Sequence, residues 1–259
     1  MKTISVSLIA IVALAVPLCA RPQAAQQSTA PKTAGSTASA AKKTAAPTAT
    51  ISRALLHPAL LKARAPDVFK ARFTTTQGAF VIEVHRDWSP LGADRFYNLV
   101  KNGFYNNAHF FRVVSGFVVQ FGLSPSPAVN KAWHDAAIQD DPVKQSNSKG
   151  TVTFASAGPN TRTTQLFINL GENGRLDTMG FSPFGTVIEG LDVVEKLYAG
   201  YGETPDQGRI EGEGKPYLDK NFPLLDSIRT ARLEGVAARP PATQKTAPAA
   251  AKTWTKGGA

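Results

Sequence analysis

The stretch Phe110-Phe111-Arg112-Val113-Val114-Ser115-Gly116-Phe117-Val118-Val119-Gln120-Phe121-Gly122 decides the fold. Two runs of aromatic and β-branched residues, His109 to Val114 and Phe117 to Phe121, meet at Ser115-Gly116, the pattern of two short strands joined by a tight turn. From Phe110 to Val114, and again from Phe117 to Phe121, a single residue is polar. No acidic residue lies within fifteen positions of Arg112 on either side, and a guanidinium in so apolar a strand is costly unless it reaches a polar cleft or a partner. Gln120 interrupts the second run in the same way. Spacing alone leaves two readings: an edge strand whose polar side chains face water, or a cleft whose apolar floor carries two polar handles.

Working outward, Lys70 to Thr76 and Ala79 to His85 alternate apolar and polar residues across Gln77-Gly78, a hairpin signal. Ser89-Pro90 supplies an N-cap and a first-turn proline for a helix with Ala93, Phe96, Tyr97 and Val100 on one face, ended by Asn102-Gly103. Beyond a long polar connection, Thr151 to Ser156, Gln165 to Leu170 and Phe184 to Ile188 read as strands. Leu191 to Tyr198 reads as a second helix and Ser227 to Leu233 as a closing strand. Residues 200 to 223, rich in glycine and acid, read as a surface loop. Strands outnumber helices and never alternate with them as βαβ units, which argues for a closed antiparallel barrel rather than a doubly wound sheet.

The net charge of +10 over 259 residues would suggest a nucleic-acid or anionic-surface binder. Its location argues otherwise. Residues 66 to 231 hold 16 basic and 18 acidic side chains, so the excess belongs to the ends. Residues 21 to 50 are almost entirely Ala, Thr, Pro, Ser, Gln and Lys, and residues 236 to 259 repeat that composition with Trp254 as the one large apolar side chain. Such stretches cannot bury enough apolar area to offset their ordering entropy. The expected division is a targeting segment at 1–20, a disordered linker at 21–65, one folded domain at 66–233 and a disordered basic tail at 234–259, with monomer as the expected state and no specific nucleic-acid partner.

Lys2 followed by the apolar run Ile4 to Leu18, then Cys19 and Ala20, has the length of a secretory signal peptide and not of a spanning helix. Cleavage after Ala20 is expected, leaving a periplasmic or secreted protein without cysteine. A lipoprotein reading would retain Cys19, but Leu18 is larger than the residue usual before a lipidated cysteine.

Motif searches exclude several chemistries. No G-x-S-x-G, P-loop, H-E-x-x-H or EF-hand spacing occurs. His57, His85, His109 and His134 lie far apart, so neither a metal nor another cofactor is expected. Asp140-Asp141 and the pair Glu211, Glu213 read as solvated loops.

The opening stretch resembles the signature of the cyclophilins, and Phe154-Ala-Ser-Ala-Gly-Pro-Asn-Thr-Arg-Thr-Thr-Gln165-Leu-Phe167-Ile-Asn169 resembles that family's second block. Asn98-Leu-Val-Lys-Asn-Gly-Phe-Tyr105, Arg175-Leu-Asp177 and Phe184-Gly185 follow in the family's order, so the likeness spans residues 67 to about 232. It implies a mainly β fold, a closed eight-stranded antiparallel barrel capped by two helices, and peptidyl-prolyl cis-trans isomerase activity on proline-containing polypeptides. Carried over by position, Arg112, Phe117 and Gln120 are the catalytic residues. Val118, Phe167 and Leu176 join Phe117 in the pocket for the proline ring, and Ala155, Ser156, Ala157 and Gln165 line the groove. A non-catalytic proline-peptide module, or a chaperone tethered to anionic envelope polymers by the basic ends, is the alternative. Retention of Arg112 disfavours it, since binding alone does not require the arginine.

Departures from the family pattern are specific. Val118 stands for a common methionine, Ser156 for asparagine, and Arg175 for the tryptophan of cyclosporin-sensitive members, which implies weak cyclosporin binding. Thr178 to Pro183 is about one residue longer than in eukaryotic members and displaces the family's pocket histidine. His109 precedes the signature strand and reads as structural. Ala-Pro pairs at Pro31, Pro47 and Pro248 are candidate visitors to the protein's own groove.

Overall fold

Alternation along the first hairpin sets the sheet. In β1 (Val68–Thr75) Phe69, Ala71, Phe73 and Thr75 point inward while their neighbours are exposed, as a half-buried strand requires. It pairs in register with β2 (Ala79–His85), Phe73 opposite Phe80. The remaining strands are β3 (Arg112–Val114), β4 (Val118–Phe121), β5 (Thr151–Phe154), β6 (Leu166–Asn169), β7 (Pro183–Glu189) and β8 (Ile228–Leu233). In this computed structural model, which describes residues 52–235, the eight form one antiparallel sheet in the order β3-β4-β6-β5-β7-β2-β1-β8. The two ends of the sheet meet more thinly than a full ladder. A single bridge, His109 with Ser227, and the bonds from Phe110 N to Asp226 O (3.0 Å) and Ile228 N to Ala108 O (2.8 Å) close the curl.

Aromatic rings fill the interior. Phe73, Phe80, Phe96, Tyr105, Phe110, Phe121, Phe154 and Phe184 are fully buried, and Phe73 stacks on Phe80 at 5.0 Å while Phe121 meets Tyr105 and Phe110 edge-on at 5.7 and 5.3 Å. Each such ring buries a large apolar area with defined geometry. Phe96 comes from α1 (Pro90–Lys101), which covers the barrel with Ala93, Phe96, Leu99 and Val100.

Three features differ from the sequence expectation. First, there are more helices than two. The second expected helix shrinks to α3 (Leu191–Glu195), and α2 (Pro127–Trp133), α4 (Gln207–Glu213) and α5 (Lys215–Asn221) are added. The stretch 200–223 is therefore largely ordered: Ile210, Tyr217, Leu218 and Leu225 pack with Phe111 and Leu123 into a small second core outside the barrel. Second, order begins before residue 66. Residues Arg53–Leu56 and Pro58–Leu60 form 3-10 turns. Leu55 is buried, its carbonyl accepts from Trp133 Nε1 (2.8 Å), and Ala63 exchanges bonds with the Asn98 side chain. The expected linker thus includes a packed arm, because Leu55 and Leu61 supply the apolar contacts that residues 21–50 lack.

Third, Asp140 is exposed as expected of a solvated pair, but Asp141 is not. Asp141 is buried and accepts from Ser89 Oγ (2.6 Å) and from the backbone N–H groups of Leu91 and Gly92 (3.1 and 2.9 Å), with buried Arg162 at 3.1 Å. The carboxylate therefore satisfies the free amides at the start of α1, the task expected of Ser89. The targeting segment 1–20, the rest of the linker and the tail from residue 236 lie outside the described residues.

Candidate active site

The period of two that sends Val113, Val119, Phe121, Val152, Phe154, Leu166 and Ile168 into the barrel sends their neighbours to the outer face of the same strands. There Arg112 lies opposite Gln120 in the β3–β4 ladder, and Gln120 opposite Phe167 in the β4–β6 ladder. Gly122 ends β4 with φ 110°; a Cβ at that point would sit 2.5 Å from the Thr164 carbonyl oxygen, so glycine permits the close approach that places Gln120 beside Gln165.

A polar chain crosses this face. Arg112 Nη1 donates to Gln120 Oε1 (3.3 Å), and Gln120 Nε2 donates to Gln165 Oε1 (2.9 Å). Gln120 is buried at 8% exposure, so its amide depends on these partners. Beside the chain, Val118, Phe167 and Leu176 form a separate apolar cluster with Phe117 and Ala155 packed against it. The Arg112 guanidinium lies 5.6 Å from the Phe117 ring centroid and that of Arg175 lies 5.0 Å from it.

These residues of the sequence reading come together: Arg112, Gln120 and Gln165 as the polar edge, Phe117, Val118, Phe167, Leu176 and Ala155 as the apolar floor. Ser156 and Ala157 continue from Ala155 on a rim loop, Ser156 half-buried and Ala157 exposed. The Ala157 amide donates to Thr161 Oγ1 (2.9 Å) within that loop.

Sequence reasoning named no residue for the far wall of this cluster. Phe181 packs on the cluster, edge-on to Phe167 at 5.7 Å. A polar network holds this wall. Asp177 accepts from Ser146 Oγ (2.6 Å) and from Asn147 N and Nδ2 (2.8 and 2.7 Å), while Asn147 Nδ2 also reaches Phe181 O (2.8 Å). Burial opposes ionisation of Asp177, yet the bonds from Ser146 and Asn147 outweigh it and hold the carboxyl below its ordinary range. Asn173 ties the wall to the floor by donating to Phe117 O (2.9 Å) and Asn169 Oδ1 (2.8 Å). The second miss is Glu203, from the stretch read as a surface loop, whose Oε1 accepts from Arg112 Nε at 2.6 Å and pairs with Nη2.

His109 lies beside the site and is not in it. Its side chain is 8% exposed, 3.6 Å from Asp219, at the seam of the sheet. Burial, helped by Lys215 and opposed by Asp219, pushes its pKa down to about 4. A groove of about 640 Å³ between the N-terminal arm, α1 and the end of α2 shares no residue with the candidate site. Among the described residues no cluster of His, Cys, Asp and Glu could hold a metal ion.

The site is thus an apolar floor edged by a guanidinium and two side-chain amides. The family model described as cyclophilin type peptidyl-prolyl cis-trans isomerase/CLD matches residues 70–213. A peptidyl-prolyl cis-trans isomerase of Acinetobacter baylyi is 32% identical over 143 residues, which cover 53% of this chain and 76% of that protein. Peptidyl-prolyl cis-trans isomerase B of Escherichia coli is 32% identical over 133 residues, 48% of this chain and 81% of its own. Among solved structures, a cyclophilin type peptidyl-prolyl cis-trans isomerase of Cryptosporidium parvum aligns with TM-score 0.49 and 20% identity, covering 65% of this chain and 99% of that one. With the family model matching more than half of the chain, from within β1 through β7 to the end of α4, and relatives of that activity at about a third identity, the chain is a peptidyl-prolyl cis-trans isomerase and belongs to the cyclophilin-type family.

Proposed function

We propose that Arg112 accelerates rotation about X-Pro bonds by donating a hydrogen bond to the proline nitrogen as the amide twists. Rotation is opposed by ~18–20 kcal/mol of amide conjugation, and the twisted nitrogen regains a lone pair that the planar ground state lacks. A donor fixed at that point therefore stabilises the transition state more than the substrate. Phe117, Val118, Phe167 and Leu176 seat the proline ring, and Phe181 closes the pocket's far wall. Gln120 holds the substrate carbonyl, and Ala155, Ser156, Ala157 and Gln165 line the path of the chain before proline. The observation that carries this reading is the Arg112–Gln120–Gln165 chain along the edge of an apolar cluster. The test is exchange NMR on an Ala-Pro peptide: Arg112→Ala should lower turnover at least ~100-fold, and undiminished exchange would remove Arg112 from the mechanism.

We propose further that the substrates are exported polypeptides met in the periplasm or outside the cell. Lys2, the apolar run to Leu18 and the cysteine-free remainder support this. The intact mass of the protein recovered from a periplasmic extract should begin at Arg21; recovery of the uncut chain only from the cytoplasm would reject it. Salt-dependent attraction to anionic polymers should vanish when residues 1–51 and 236–259 are deleted, because the excess positive charge lies at the chain's ends.

A further inference from the structure

The loop between α3 and α4 is built to reach the site. It is tethered to the outer edge of β3, the terminal strand of the sheet, by a bond from Val113 N to Gly202 O (3.3 Å). Turn bonds from Gly202 N to Ala199 O and from Thr204 N to Tyr201 O tighten it, and Gly202 adopts φ 52°. Tyr201 anchors the turn by packing edge-on to Tyr198 and Phe222, at 5.1 Å each. Together these contacts occupy a strand edge that would otherwise be unpaired, and they carry Glu203 to Arg112.

Glu203 is the strongest restraint on that guanidinium. The Gln120 contact is long at 3.3 Å and the Phe117 ring is 5.6 Å from the guanidinium carbon, whereas one Glu203 oxygen takes both Nε (2.6 Å) and Nη2. Charge-assisted bonds of this kind are the shorter and stronger class. Glu203 is 63% exposed, so the pair adds little to folding; its consequence is placement. It occupies the Nε edge and leaves Nη1, the nitrogen that reaches Gln120, on the groove side.

We infer that Glu203 is a positioning residue for the isomerisation: it locks the Arg112 guanidinium in the orientation that presents an Nη–H to the twisting amide. This rests on the reading of Arg112 as the catalytic donor. A misplaced donor loses interaction chiefly in the transition state, so the loss falls on kcat more than on peptide affinity.

The test uses the full-length chain and exchange NMR on an Ala-Pro peptide, with wild type, Glu203→Ala, Glu203→Gln and Arg112→Ala side by side. Glu203→Ala should lower kcat roughly tenfold while changing peptide Kd less than about twofold. Glu203→Gln, which keeps an oxygen acceptor, should recover part of the loss. The Arg112 Nε–H resonance should be protected from solvent exchange in wild type and lose that protection in Glu203→Ala. Unchanged or faster turnover in Glu203→Ala overturns the inference, as does a loss confined to Kd. If Arg112→Ala is inactive and Glu203→Ala fully active, only the role of Glu203 fails; if Arg112→Ala is itself fully active, the catalytic reading beneath it fails.

Discussion

The inner and outer faces of β3, β4, β5 and β6 are made by alternate residues of the same strands, yet they are held together in opposite ways. Inside, Val113, Val119, Phe121, Phe154 and Ile168 are satisfied by one another and by the rings of β1, β2 and α1. Outside, Arg112, Gln120 and Asn169 depend on named polar partners: Glu203, Gln165 and Asn147 from distant segments, and Asn173 from the turn that follows β6. Burial of apolar area is non-directional and tolerant of where its neighbours originate. A groove that must hold a guanidinium and several amides needs directional partners, each with a specific residue type. One face therefore holds the core and the other the candidate site.

The comparison breaks most visibly at the inner face. Phe121→Ala should cost about 3–5 kcal/mol, as expected for loss of a fully buried ring, read as a drop in the urea midpoint. A loss below about 1 kcal/mol would show that the barrel interior is not the main source of stability. The seam where the two ends of the sheet meet gives the next effect. Because His109 has a folded-state pKa lowered from 6.5 to about 4, the unfolded chain takes up the proton first as pH falls. The stability that His109 contributes as a neutral ring is fully present above about pH 6.5 and is lost progressively down to about pH 4. The loss should amount to up to about 3 kcal/mol. In His109→Gln that slope should flatten, which thermal melts at several pH values would reveal.

The groove wall gives a smaller effect. Asp177→Ala leaves the Asn147 backbone N–H without its acceptor and removes one of the two acceptors of Nδ2, and should cost about 1–2 kcal/mol, with weaker peptide binding as Phe181 loosens. Unaltered peptide affinity would mean that the wall stands without the Asp177 network. Arg175→Trp, at an exposed position, should shift stability by less than about 0.5 kcal/mol while tightening cyclosporin binding, measured by calorimetry. Tight binding by the wild-type chain would contradict the expectation drawn from the missing indole.

Legibility in the sequence followed the same division. The eight strands were readable because period-two alternation is a local property, and all eight expected segments contain the observed strands to within one or two residues at most ends. Arg112 and Gln120 stood out because each interrupts an apolar run in two contiguous strands, β3 and β4, whereas Phe117, Val118, Phe167 and Leu176 came from the family resemblance. The partners were not. Glu203 lies 91 positions from Arg112 and Asp177 30 from Asn147, and no periodicity connects such pairs. Asp141 has the same character: beside Asp140 it reads as a solvated pair, and only the fold sets it against the start of α1. Helix α2 was missed inside the stretch read as a polar connection, although Ser126-Pro127 repeats the signal that marks α1 and Val129 and Trp133 share a face. The packed arm before residue 66 was missed as well, although Leu55 and Leu61 mark where composition departs from the Ala- and Thr-rich segment upstream.

Adjacent residues on opposite faces of β3 provide the most direct test of this separation. Arg112 is on the outer face and Val113 is buried in the barrel at 4% exposure. Arg112→Ala and Val113→Ala should be compared for turnover on an Ala-Pro peptide and for melting temperature under one buffer condition. The account predicts that Arg112→Ala loses turnover by at least ~100-fold with its melting temperature within about 3 °C of wild type. Val113→Ala should lose about 2 kcal/mol of stability while each folded molecule keeps near-normal turnover. An Arg112→Ala protein that isomerises the peptide as fast as wild type would contradict the account.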